Sequence, residues 1–187
     1  VVEDRPLARV AGTVDDEVEG AIADALVLAS GRTSTRDVER AVRQLAEGAV
    51  RALSPGVNAP FTAEQALRRL AQSLALLAGR KLPTPAFDDD EGVRRLVVPM
   101  PGVPELLHVA FDQARHYGRT DPHVPLVLLE ILTSVGVRAR DSALRRELLA
   151  HAERVRASSL ESLPESMDRD RIEDAFASAE AVLGNRT

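Results

Sequence analysis

The chain has no cysteine and no tryptophan, two methionines, and an aromatic content of only 3%. Missing thiols exclude disulfides, thiolate metal ligation and cysteine nucleophiles. With so few rings, the core must be built from Leu, Val, Ile and Ala, a set that suits helices packed at close range. Lys81 is the single lysine, so almost all positive charge is arginine; together with the abundant alanine this matches a GC-rich coding bias. A basic excess is also lacking. The 24 Lys and Arg face 29 Asp and Glu, giving a net charge of −5, which argues against a general nucleic-acid binder. Nor is there a bilayer-length apolar run, because residues 124–137 are interrupted by Glu130, Thr133 and Ser134. Neither an initiator Met nor a signal-peptide pattern opens the chain, so it reads as a soluble excised piece.

Catalytic signatures are missing as well. Gly-x-Ser-x-Gly and Gly-x-x-x-x-Gly-Lys are both absent, which removes the nucleophile elbow and the phosphate loop. No catalytic residue is assigned and no cofactor is implied.

What the sequence does contain is helical periodicity. Its 187 residues, 44% hydrophobic, suffice for one domain with or without an appendage. Residues 1–12 read as a tail or edge strand, since Pro6 cannot donate to a ladder. Thr13 caps a first helix through Val18, Ile22, Ala25 and Leu26 that stops at Gly31. Thr33, Ser34 and Thr35 open a second, with Val38, Val42, Leu45, Ala49 and Leu53 as its apolar stripe, ended by Pro55. Thr62 and Gln65 form a capping box for a third, whose core face is Ala66, Leu67, Leu70, Leu74 and Leu77 before Gly79. Pro83 and Pro85 mark an irregular stretch, and residues 93–98 (VRRLVV) read as one arm of a small hairpin. Pro104 opens a fourth helix and Asp121-Pro122 a fifth, which is apolar on nearly all sides and therefore the buried centre. Asp141 caps a sixth, residues 158–164 form a polar linker, and Ile172, Phe176, Ala179 and Leu183 line a last helix. The expectation is an all-α bundle of six to seven helices with at most one short hairpin. Its core spans residues 13–158, and residues 159–187 form a linker and a helix that docks on the core or exchanges between subunits.

The most distinctive segment is residues 51–63, RALSPGVNAPFTA. Ser54-Pro55, Val57, Asn58-Ala59-Pro60 and Thr62-Ala63 resemble the signature of a bacterial predicted-membrane-protein family of unknown function (DUF2254). Similar stretches flank it: Gly31-Arg32-Thr33, Ala41-Val42-Arg43-Gln44-Leu45, Arg95-Leu96-Val97-Val98-Pro99 and Ala110-Phe111-Asp112-Gln113-Ala114-Arg115. The resemblance implies transmembrane helices N-terminal to this region, a cell-membrane parent protein, and a cytoplasmic setting for the domain. It also implies that residues 1–12 close a preceding small β module. Ala59 stands where the family carries Asp, which removes an acid or ligand if that was the role of the Asp and changes little if it supported the turn.

Two readings of the segment stand side by side. In the structural one, Pro55 stops a helix, Gly56 takes a positive φ, Asn58 bonds nearby amides, Pro60 fixes the entry and Thr62 caps. In the functional one, Arg51, Ser54, Asn58 and Thr62, with Gln113 and Arg115, form a small-anion or small-molecule site at a helix N-terminus; Glu64 and Gln65 compete for the same amides. The favoured role is a non-catalytic domain for assembly, sensing or regulation. Membrane tethering raises effective concentration and so favours homo-oligomers.

Three other clusters read as structural. His108, Asp112 and His116 recur every four residues, but the two His lie about 12 Å apart along a helix, too far to share an ion, so a site would need help from elsewhere, such as His123. The acidic run of residues 88–91 lacks EF-hand spacing. Arg68, Arg69, Arg94 and Arg95 are expected to be solvated or paired with Asp and Glu rather than to face lipid headgroups.

Overall fold

A computed structural model describes residues 10, 14–25, 38–80, 86–97 and 101–184. The chain divides into two units, residues 1–36 and residues 37–187. The first contains α1 (Asp16–Ala25). Its cap is Asp15, whose carboxylate accepts the Val18 amide at 2.8 Å; the expected cap, Thr13, lies outside the described residues, as do Leu26 and Gly31. Val18 is exposed on this helix, not part of an inward face.

The second unit holds α2 (Val38–Ala52), α3 (Pro60–Ala78), α4 (Val103–Gly118), α5 (Val124–Arg138), α6 (Ser142–Ser162) and α7 (Ser166–Leu183), with strands β1 (Ala86–Asp88) and β2 (Arg94–Val97). This is an all-helical bundle with one short antiparallel hairpin. The hydropathy of α5 explains its position. It packs against α3, α4, α6 and α7, and buries Val124, Val127, Leu128, Leu129, Ile131, Leu132 and Val135. Its entry is shaped by Asp121, whose carboxylate accepts the His123 and Val124 amides at 2.8 and 3.1 Å, so the helix starts three residues later than Asp121 itself.

Other helices bury smaller faces. The face α2 turns toward α3 and α4 is Val42, Ala46, Ala49 and Ala52, while Val38 and Leu45 are exposed. The expected stripe is thus rotated toward alanines, which let neighbouring axes approach closely. On α3, Leu67, Leu70 and Leu74 are buried as expected, joined by Ala63, Ala71, Ala75 and Ala78. Its start differs from expectation. Ala59 is the N-cap, without a side-chain cap bond, and Pro60 opens the helix, placing Thr62 inside the first turn. Proline's fixed φ suits that position and pulls the boundary upstream of the capping box.

The Asp141 carboxylate accepts the Ala143 amide at 2.9 Å and caps α6 as expected. That helix continues through the segment read as a linker, ending at Ser162. The serines that suggested coil satisfy their hydroxyls inside the helix: Ser158 and Ser159 both donate to the Val155 carbonyl, at 3.1 and 2.8 Å. Only residues 163–165 separate α6 from α7, which packs on α5 and α6 through Ile172, Phe176, Ala179 and Leu183.

Candidate functional site

The turn between α2 and α3 is closed by its own backbone. The Ser54 carbonyl accepts the Val57 and Asn58 amides at 3.0 and 2.9 Å, and the Ala52 carbonyl accepts the Ala59 amide at 2.8 Å. Asn58 has φ 45°, the only positive φ among the described non-glycine residues. The left-handed residue is therefore Asn58, whose short polar side chain tolerates that region, and not Gly56. Ser54 Oγ donates to the Arg51 carbonyl at 2.7 Å, closing a local loop. Arg51, Asn58 and Thr62 are exposed. On α4, Gln113 is exposed and Arg115 half-buried, with its Nε shielded and unpartnered. Leu53 lies beside Gly118, so the turn sits near the end of α4. No hydrogen bond or ion pair joins the turn residues to Gln113 or Arg115 among the described residues.

Glu64, one turn into α3, is engaged with side chains. Its carboxylate accepts from Arg68 Nε at 2.7 Å and contacts His123 Nε2 at 2.8 Å. Hydrogen bonding to His123 and then to Arg68 holds its pKa below the ordinary value. The Arg68 guanidinium reaches on to Glu130 through two bonds of 2.8 and 2.7 Å, tying α3 to α5. Beside this pair runs a groove of about 420 Å³ lined by Arg68, Gln72, Leu76, Glu130, Ser134 and Arg138. The hairpin doublet is paired too, Arg94 with Asp88 at 3.0 Å and Arg95 with Asp89 at 2.6 Å. Asp89 also accepts the Glu91 and Val93 amides, so the acidic run builds the hairpin tip, where Gly92 takes φ 79°.

A second constellation brings α4 and α6 together. His108 Nδ1 lies 3.0 Å from Asp112 Oδ2, and His151 Nδ1 lies 3.7 Å from Asp112 Oδ1. The His108 and His151 rings are 4.7 Å apart between centroids. On the far side, Glu147 Oε1 is 3.4 Å from His108 Nε2 and 3.6 Å from His151 Nε2, and it is also held by Arg154 at 3.1 Å. His151 is only 1% exposed, and its Nε2 has no hydrogen-bond partner. Burial first, and then the Arg154 charge, push its pKa down to about 4, so the ring is neutral at pH 7. His116 takes no part, since it contacts Arg119 and Tyr117; His123 is engaged with Glu64.

Residues 1–134 match the family described as predicted membrane protein (DUF2254). The chain belongs to this family. It is 35% identical over 153 residues to an uncharacterized protein of Mycobacterium bovis and to uncharacterized proteins of two Mycobacterium tuberculosis strains. Those alignments cover 81% of this chain and 29% of each relative, so the chain spans about three-tenths of their length. No solved structure matches the chain. Among the described residues, no helix is long and apolar enough to cross a membrane.

Within the family signature, Ala59 now has a definite place: it is the N-cap of α3. Asp is a preferred residue at such a capping position, and the alanine here supplies no side-chain acceptor. Sequence reasoning placed His108 and Asp112 together but missed His151 and Glu147. The spacing of His151 four residues after Glu147 was the available signal, and the packing of α4 on α6 was not readable from it.

Proposed function

We propose that this domain is a non-catalytic assembly module on the cytoplasmic side of its membrane protein, and that its hairpin docks on a second copy of the chain. The observation that carries the reading is the hairpin itself. Among the described residues β1 and β2 pair only with each other, and Phe87, Leu96 and Val97 are 52, 53 and 59% exposed. A lone two-stranded hairpin is marginal in water and gains from a covering surface. Tethering in a membrane supplies copies at high effective concentration. Phe87→Ser combined with Leu96→Ser is expected to abolish cross-linked oligomers of the membrane-embedded whole protein while leaving the melting of the isolated domain unchanged. Undiminished cross-linking would overturn the reading.

A second reading, a small-anion or small-molecule site around Arg51, Ser54, Asn58 and Thr62 with Gln113 and Arg115, is favoured by one observation. The start of α3 has no side-chain cap, and Glu64 faces Arg68 and His123 instead of the first-turn amides. Titration with inorganic phosphate, followed on the amide resonance of Phe61 in the opening turn of α3, tests it; an unmoved resonance ends it.

A further inference from the structure

We infer that His108, Asp112 and His151 form a binding site for a divalent first-row transition ion of the zinc class, pinning α4 to α6. One ligand atom from each of the three lies within 4.8 Å of the others. Two imidazoles and one carboxylate form a donor set for such an ion. Ligand atoms held 2.0–2.2 Å from a tetrahedral ion stand about 3.4 Å apart, so the observed spacing closes by small side-chain rotations. Asp112 faces the Nδ1 atoms of both rings, at 3.0 and 3.7 Å, which sets the ion on that side. The opposite side is already occupied: Glu147, neutralised by Arg154, sits 3.4 and 3.6 Å from the two Nε2 atoms. From there it is placed to orient the rings once an ion fixes them, the usual role of a carboxylate beside a metal-bound imidazole. An independent observation points to a ligand: His151 is 1% exposed, its Nδ1 faces Asp112 at 3.7 Å, longer than a hydrogen bond, and its Nε2 has no hydrogen-bond partner, so the protein leaves this buried ring unsatisfied. Asp112 and His108 are partly exposed, giving the ion an entry path and leaving its fourth position to water. His151 and Glu147 fall beyond residues 1–134, so the site is not contained in the family match.

The test uses the 187-residue chain and cobalt(II) as a spectroscopic probe. One equivalent is expected to produce the visible bands of a tetrahedral ion, and zinc to displace it and raise the melting temperature. His108→Gln and Asp112→Asn, both at partly exposed positions and chosen because changes at buried His151 endanger folding, should each weaken binding at least 100-fold with the circular dichroism spectrum preserved. Glu147→Gln, which removes only the orienting carboxylate, should weaken it about 10-fold. Absence of stoichiometric binding, or binding that survives both His108→Gln and Asp112→Asn, would overturn the site. The docking of the hairpin on a second copy is unaffected by either result.

Discussion

At the scale of single residues, the turn between α2 and α3 separates conformational duty from chemistry. Asn58 is left-handed with φ 45°, a region that costs a β-branched side chain about 1–2 kcal/mol. Asn58→Val should therefore lower the free energy of urea unfolding by at least about 1 kcal/mol, whereas Asn58→Gly should stay within a few tenths. A specific contact by the Asn58 amide would make both substitutions equally damaging. Next to it, Ala59 is a cap that cannot accept a hydrogen bond. Ala59→Asp should stabilise by about 0.5–2 kcal/mol, read by the same denaturation curve.

Between elements, glycines and one arginine set how the helices meet. Gly118 lies where α4 hands over to α5, and a methyl there would come within 2.9 Å of Val124 Cβ and 2.3 Å of its Cγ1. Cβ cannot swing aside, so Gly118→Ala is expected to cost about 1–3 kcal/mol. Gly48, exposed in mid-α2 with nothing within 4 Å, offers the contrast, and Gly48→Ala should stabilise by about 0.5–1 kcal/mol. Thermal melts of the pair check both signs. Arg68 joins Glu64 and Glu130, whose pKa values are held below the ordinary 4.5. Because both are depressed in the fold, their contribution is complete above about pH 4.5 and disappears as pH falls through the depressed values, where the unfolded chain already holds the protons. Arg68→Gln should flatten that acid limb. The loss at neutral pH should be no more than about 1 kcal/mol, shrinking in high salt, because these groups face water.

For the whole molecule, the fold was legible where periodicity was strong and obscured where context overrode composition. Leu67, Leu70 and Leu74, the apolar α5 and the Asp141 cap could be read directly because burial follows a 3.6-residue repeat. The α2 stripe was rotated because alanines, not the larger Val38 and Leu45, meet the neighbours. Ser158 and Ser159 looked like coil because a sequence does not reveal hydroxyls bonding back to Val155. The α4–α6 histidine cluster depends on a tertiary contact, so only its α4 half could be seen in advance. α7 is the largest test of the bundle. Removing residues 163–187 takes away buried Ile172, Phe176 and Leu183, each worth about 1.5–3 kcal/mol, against a total domain stability of about 5–15 kcal/mol. The truncated chain is expected to lose its cooperative melt by circular dichroism; a retained sharp transition would show that α7 is dispensable.

The missing cap at the start of α3 has one more consequence. With no carboxylate or hydroxyl to clasp it, the opening turn of that helix has little local protection, although Leu67, Leu70 and Leu74 anchor the turns beyond. Deuterium should enter at Phe61 well before it reaches the leucines, and a single aspartate at residue 59 should slow that leak.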